Sequence, residues 1–393
     1  MKPEWTSLLD KKGQLSVRLL RALYGCIESS KLWFDTISEF LTESLGYIKN
    51  PHDICVFNKW HEDEQLQSTI IIYVDDLMIT CSSDVILDSI IQQLRKRFGD
   101  VSETTGVQHS YLGLQFDFSE DGRVKITMPG YINDMMDRFN VTGTQQYPTK
   151  GDLFRRDENS PLLDDHFREE FHSRVYSVAY MAQRIKPECL PILSELSSIV
   201  RCPTSDDWYK LQHLLQYING CKEIGMCLEI PSGPIVVNAS IDSSHGCHAN
   251  MRGQGAGVIS LSRDGSGGTI HSESSKLSLN TKSTAETELV TMSDYASQAL
   301  HAAAFLTAQV YEDVTTIIEQ DNESTIALIR KGRSTAKATR HIAIRYFWLH
   351  DRLQRGEFQL LHVPGTSIRS DLLTKDIRGS AFWKGRKEVN NWG

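Results

Sequence analysis

The chain has no apolar run of the roughly 18 or more residues that a membrane-crossing helix needs. Its first residues, MKPEWTSLLDKKGQ, lack the apolar core of a secretion signal. The cysteines (Cys26, Cys55, Cys81, Cys189, Cys202, Cys221, Cys227, Cys247) include no C-x-x-C pair, and Cys221 and Cys227 lack a matching His/Cys pair. A zinc-binding spacing is therefore missing, and free thiols in a reducing, intracellular compartment are expected. There is no internal repeat and no low-complexity tract. Positive charge is also scarce: 42 Lys and Arg stand against 50 Asp and Glu, a net charge of −8. That argues against holding nucleic acid by bulk charge, although distribution matters more than the sum. From Lys331 onwards the balance reverses, with thirteen Lys and Arg against five Asp and Glu. Such a basic tail suits a nucleic-acid contact or a solvated helix face equally well.

What is present is a chain of 393 residues, 40% of them hydrophobic, enough for two or three domains with cores of their own. Residues 30–46, SKLWFDTISEFLTESLG, carry apolar residues at helical spacing with Gly46 as a stop. CVFNKW and STIIIYVDDLMITC read as strands about the polar turn HEDEQLQ, and 84–98 reads as a helix. YLGLQFDFSEDGRVKITM has a hairpin pattern about its EDG turn, and YINDMMDRFN is a helix pattern. Residues 144–170 are polar and aperiodic, a linker by composition. A helical stretch follows from about 171 to 220, with a cap-like Ser205-Asp206-Asp207 before its last helix. From about 228 the pattern becomes β-β-β-α-β-α-α-β-α, which suits one α/β domain.

Two sets of carboxylates interrupt these patterns. Asp75 and Asp76 split the apolar run IIIYVDDLMIT, where a buried acid pair is costly unless something neutralises it. In the last domain Asp242 ends a strand, Glu288 lies one turn into a long helix, Asp321 ends a later strand, and Asp371 opens a final helix in SDLLTKDI. Strand ends and helix starts of one sheet can meet at one edge. Several carboxylates gathered there do not all ionise without a cation, and hard oxygen ligands select Mg²⁺ or Mn²⁺. Two such ions about 4 Å apart can activate water and stabilise a leaving 3′-oxygen. Each acid also has an ordinary reading: a turn or cap for Asp242, a solvated helix face for Glu288 with Glu286 as competitor, and an N-cap for Asp321 and Asp371.

The runs KLSLNTKSTAETELVTMSD, IIEQDNESTIAL, TRHIAIRYFWLHDRL and VPGTSIRSDLLTKDI together resemble the ribonuclease H domain of Ty1/copia-type retrotransposon polyproteins. LLRALYGCIESSKLWFDTISEFL, YVDDLMIT and YLGLQF resemble the later part of the reverse transcriptase domain of the same polyproteins. The resemblance implies a multidomain α/β and α+β chain. A truncated polymerase palm at 1–143 would be followed by a helical connection at 144–227. A ribonuclease H-like domain at 228–393 would hold a mixed five-stranded sheet flanked by helices. It implies that Asp242, Glu288, Asp321 and Asp371 hold two Mg²⁺ or Mn²⁺ ions, with Glu288 rather than Glu286 in the family position. Tyr73, Asp75 and Asp76 match the palm hairpin, whose acids hold metal in the family. His341 matches a family-typical histidine, catalytic or merely capping, and Arg340 and Arg345 beside it are placed to meet phosphates of an RNA–DNA hybrid.

Two departures shape the expected activity. The family polymerase needs a further acid on an earlier strand, and before Arg21 only Asp10 is available, in a polar LDKKG turn. Glu28 stands where the family usually has glutamine, and its charge would repel a triphosphate. Expected, then, is a 5′-truncated Pol piece, nuclease-competent but not polymerising, that binds template and primer and can pair with a full-length Pol protein. The alternatives are a non-catalytic nucleic-acid-binding remnant and an inert, poorly folded product. A protease-resistant core near 228–390 is expected if the nuclease part folds alone.

Overall fold

The computed structural model describes residues 9–392 apart from 16–17, 19–22, 24, 231–232, 263–265, 310, 312 and 333–342. The chain divides into two compact units, Met1–Ser102 and Glu103–Gly393, so the expected boundaries at 143 and 227 both fall inside the second.

In the first unit α1 (Ile27–Glu39) runs on into a wider π turn over Phe40–Ser44. An antiparallel sheet follows, with β1 (Ile48–Lys49), β2 (Val56–His61), β3 (Leu66–Tyr73) and β4 (Asp76–Thr80) in spatial order, and α2 (Asp84–Phe98) closes the unit. Ile86, Ile90 and Leu94 recur every fourth residue of α2, so they form one stripe. They share a core with Ile37 of α1, Leu41 of the π turn, and Phe57, Ile70 and Ile72 of the sheet. Arg95, Lys96 and Arg97 occupy the last turn of α2, where positive charge complements the helix dipole.

The second unit opens with β5 (Gln108–Tyr111), β6 (Leu114–Asp117), β7 (Arg123–Thr127) and α3 (Pro129–Arg138). Three helices follow, α4 (Asp165–Ile185), α5 (Leu190–Ser198) and α6 (Ser205–Gly220), and then β8 (Met226–Glu229), which pairs antiparallel with β7. The cap of α6 lies one residue before the expected position: the Thr204 hydroxyl and the Asp207 carboxylate each take the other's backbone N–H.

Residues 144–164 contain no helix or extended strand, but they are not the slack linker their composition suggests. The Thr149 hydroxyl donates to Asp376 Oδ1 at 2.6 Å, the Leu153 N–H donates to Asp376 Oδ2 at 2.9 Å, and Leu153 is buried. Asp376 is 227 residues from Thr149, so no local pattern could reveal the tie.

The remaining elements are β9 (Val236–Ser244), β10 (Gln254–Leu261), β11 (Thr269–Lys276), α7 (Thr284–Thr307), β12 (Thr315–Gln320), α8 (Glu323–Lys331), α9 (Ala343–Gln354), β13 (Gln359–His362) and α10 (Gly379–Asn390). The strands form a mixed five-stranded sheet in the order β11-β10-β9-β12-β13, antiparallel from β11 to β9 and parallel from β9 to β13. The order of elements and the mixed sheet are those the sequence predicts. SDLLTKDI does not open the last helix, however. It forms a 3-10 turn over Arg369–Leu373, and α10 begins only at Gly379. The N–H groups of Arg369 and Ser370 donate to the Ser240 hydroxyl, and the Arg369 guanidinium reaches Ser260 and Asn238. These bonds lay the segment along the sheet instead of letting it wind on its own axis.

Both faces of this sheet are covered. Ile259 of β10 joins Val237, Ala239, Ile241, Leu289 and Val290 in a core with α7. Ala256 and Val258, on the opposite face, join Val175, Met181, Leu193, Leu214, Leu373 and Phe382 in a core that includes α4, α5, α6 and α10. Each fully buried aliphatic or aromatic side chain contributes roughly 1.5–3 kcal/mol. Detaching the helices from the sheet would expose several of them at once. A buried Glu195–His248 pair at 2.8 Å makes the same connection between α5 and the β9–β10 loop.

Candidate functional site

Asp242 lies within β9 rather than at its end, because the strand continues to Ser244, and it is 2% exposed. Glu288 approaches it from α7. Ser283 caps that helix by accepting from the Glu286 N–H, and Glu286 in return accepts from the Lys282 N–H at 2.8 Å. The bond to Lys282 occupies Glu286 at the helix start, and Glu288, two residues on, is the acid that meets Asp242 and Asp321.

The close approach of α7 depends on three glycines at alternate positions, Gly253 just before β10 and Gly255 and Gly257 within it. A Cβ on Gly253 would come within 2.7 Å of Thr287, one on Gly255 within 2.8 Å of Thr291, and one on Gly257 within 3.1 Å of Tyr295. Alternate strand positions share a face, and residues four apart share a helix face, so a bare track on β10 receives one ridge of α7. The Tyr295 hydroxyl donates to the Gly255 carbonyl at 3.2 Å and fastens the contact.

Asp321 follows the last residue of β12. The neighbouring Asn322, not Asp321, caps α8 by accepting from the Thr325 N–H at 3.0 Å. Asp242, Glu288 and Asp321 each offer an oxygen, and these lie within 4.8 Å of one another. The buried Gln320 amide donates to Glu288 Oε2 at 3.3 Å and orients it. Gly365 leaves room for Asp321, since a Cβ there would lie 3.0 Å from its carboxylate.

Burial pushes the Asp242 carboxyl up to about 7, against the pull of Lys375 and with the help of Asp371. Burial also pushes Glu288 up to about 8, and the nearby Asp242 adds to it. Two buried acids and a third beside them, all hard oxygen donors, fit a divalent cation such as Mg²⁺ or Mn²⁺.

Asp371 stands outside this triad. Its Oδ1 is 2.5 Å from the Lys375 ammonium, which is also 3.5 Å from Asp242 Oδ2. The Thr374 hydroxyl donates to that same Asp242 oxygen. Lys375 and Thr374 were not singled out from the sequence; the available signal was a lysine four residues after Asp371 in SDLLTKDI.

The other predicted residues lie elsewhere. Arg340 and His341 are outside the described residues. Arg345 is held by Asp294 and donates to the Val290 carbonyl at 3.3 Å, so it ties α9 to α7. In the first unit Tyr73 and Asp76 pair at the end of a tight hairpin with Val74 and Asp75 at its tip. Tyr73, Val74, Asp75 and Asp76 are all exposed. The expected buried acid pair is therefore a solvated one, because the chain reverses at the point where the apolar run is interrupted. Trp33 Nε1 donates to the Val74 carbonyl at 2.6 Å, and Val74 has φ +52°, unusual for a β-branched residue. Glu28 is exposed in the first turn of α1. The eight cysteines are free, and among the described residues no helix is long and apolar enough to cross a membrane.

Residues 1–150 match the family model described as reverse transcriptase (RNA-dependent DNA polymerase). The retrovirus-related Pol polyprotein from transposon TNT 1-94 of Nicotiana tabacum is 22% identical over 387 residues, covering 97% of this chain and 28% of that polyprotein. The transposon Ty1-MR1 Gag-Pol polyprotein of Saccharomyces cerevisiae is 20% identical over 394 residues, covering 96% of this chain and 22% of that polyprotein. The chain thus spans about a quarter of the length of these relatives. Among solved structures, ribonuclease H1 from Halobacterium salinarum aligns with 35% of this chain and 93% of its own, at 18% identity and a TM-score of 0.25. Along nearly all of its length the chain is similar to retrotransposon Pol polyproteins, with a reverse transcriptase match in its first 150 residues and a mixed five-stranded sheet beyond it.

Proposed function

We propose that the second unit is a metal-dependent endonuclease that cuts the RNA strand of an RNA–DNA hybrid. The observation that carries this reading is the convergence of Asp242, Glu288 and Asp321 from three separate elements to within 4.8 Å. Two of them are buried and held toward their protonated forms, a state that a cation would relieve. Asp242, Glu288 and Asp321 would hold one Mg²⁺ or Mn²⁺ ion, and Asp371 with Asp242 a second. Bound there, the ions supply charge stabilisation and a water of lowered pKa. Gln320 and Thr374 keep the Glu288 and Asp242 carboxylates in place. Water oxygen bonds to the phosphorus, the bond to the 3′-oxygen breaks, and that oxygen takes up a proton, leaving a 3′-hydroxyl and a 5′-phosphate. The hybrid would be read by its shape, 2′-hydroxyls and phosphates rather than by base edges.

In the first unit, the exposed tip Tyr73-Val74-Asp75-Asp76 supports a template–primer contact. On this reading the functional division remains a palm part (1–143), a helical connection (144–227) and a nuclease part (228–393). The connection would nonetheless be required for the nuclease part to fold.

The test is cleavage of a labelled RNA–DNA hybrid in Mg²⁺ and then Mn²⁺, with Asp321→Asn as control. Cutting by the native chain and a loss of at least about a hundredfold in the variant is expected. A folded, monodisperse native sample that cuts in neither metal overturns the enzymatic reading. A non-catalytic nucleic-acid-binding protein would take its place.

A further inference from the structure

Lys375 has no part in the chemistry proposed above, yet its position is specific. Its ammonium lies 2.5 Å from Asp371 Oδ1 and 3.5 Å from Asp242 Oδ2. Asp242 belongs at the same time to the triad with Glu288 and Asp321. One buried carboxylate is thus shared between two groupings, a triad of acids on one hand and an acid with a lysine on the other. The Lys375 side chain is 42% exposed, whereas that of Asp242 is 2% exposed. The lysine therefore reaches a buried acid from solvent, along a stem that can withdraw again. Solvent screening keeps such a contact weak enough to be displaced.

We propose that the Lys375 ammonium is a resident cation that holds Asp242 and Asp371 together and competes with a divalent ion for that pair. The first ion would enter at Asp242, Glu288 and Asp321 without disturbing it. The second would bind only as Lys375 withdraws, because two divalent ions and an ammonium would exceed the charge of four carboxylates by one. Lys375 is then a positioning residue that sets how much metal the second position needs. The inference rests on the metal-binding reading above.

The experiment is a Mn²⁺ titration of the full chain, following heat and the loss of free-ion paramagnetic resonance, for the native protein, Lys375→Met and Lys375→Arg. The native chain is expected to take up one ion tightly and a second more weakly. Lys375→Met should bind the second about tenfold more tightly and leave the first unchanged. Lys375→Arg, which keeps the charge, should bind the second no more tightly than the native chain. Equal uptake of Mn²⁺ by native chain and Lys375→Met overturns the role of the lysine and leaves the metal reading standing. So does Lys375→Arg matching Lys375→Met. Absence of Mn²⁺ uptake by folded native chain overturns both.

Discussion

Gly255 of β10 lies against Thr291 of α7 so closely that a Cβ on the glycine would come within 2.8 Å of the threonine hydroxyl. The strand presents no side chain where the helix crosses it, and this approach brings Glu288 to Asp242. Replacing Gly255 by Val should force α7 outward and cost about 1–3 kcal/mol, the usual penalty of overpacking. Thermal melting should show the loss, and hybrid cleavage should fall further than stability because the two acids separate. A Gly255→Val protein that melts and cleaves like the native chain would show that the bare track is not what positions Glu288.

The raised acids make the metal-free protein sensitive to pH. Asp242 is held up from 3.8 to about 7 and Glu288 from 4.5 to about 8, so both keep their protons longer in the folded chain than in the unfolded one. Between about pH 4 and pH 8 the folded state therefore binds more protons, and stability falls as pH rises. The fall should be on the order of a few kcal/mol in chelator, read from denaturant midpoints at pH 5 and pH 8. Glu288→Gln should flatten it, and so should saturating Mg²⁺. A native chain whose stability rises over that interval without metal would contradict the assignment.

Limited proteolysis should release the second unit whole. The segment 99–107 is largely exposed and lacks helix and strand, which favours cutting there. The stable product should begin near residue 103 rather than near 228, since Ala256, Val258, Leu373 and Phe382 share a core with α4 to α6. A chain starting at 228 should aggregate or fail to fold. Recovery of a stable 228–393 fragment from the digest would refute the shared core.

Val74 offers a separate test in the first unit. Its φ of +52° suits glycine or asparagine better than a β-branched residue. Val74→Gly should stabilise this unit by about 1 kcal/mol through relief of strain. Trp33→Phe should cost about 1 kcal/mol through loss of the bond to the Val74 carbonyl. Denaturant unfolding followed on the first unit measures both, and a destabilised Val74→Gly would argue that the valine side chain packs usefully.

Much of this was legible before any coordinates. The helix over 84–98, the hairpin about the EDG turn and the succession of elements after residue 228 follow from periodicity and turn chemistry. Asp242, Glu288, Asp321 and Asp371 could be named as a candidate set, although Asp242 lies inside its strand and Asp371 in a 3-10 turn rather than at a helix start. The errors share one origin. Residues 144–164 read as a linker because their partner, Asp376, is far along the chain. SDLLTKDI read as a helix start because Ser240, which takes its N–H groups, is about 130 residues earlier. Asp75 and Asp76 looked buried because apolar flanks do not show where a strand reverses.

The sequence by itself determined the elements, their order, the glycines alternating along β10 and the supply of carboxylates. Those features depend on spacings of two to four residues, the range over which strand pleat, helix turn and cap act. Only the tertiary structure decided which acids meet: Asp242, Glu288 and Asp321 in the triad, Glu286 at a helix cap, and Asp371 joined to Asp242 through Lys375. Thr374 and Asp242 are 132 residues apart, and no local propensity encodes contact at that distance. It arises from closing the sheet and burying both of its faces, a choice made by the packing of all the elements together.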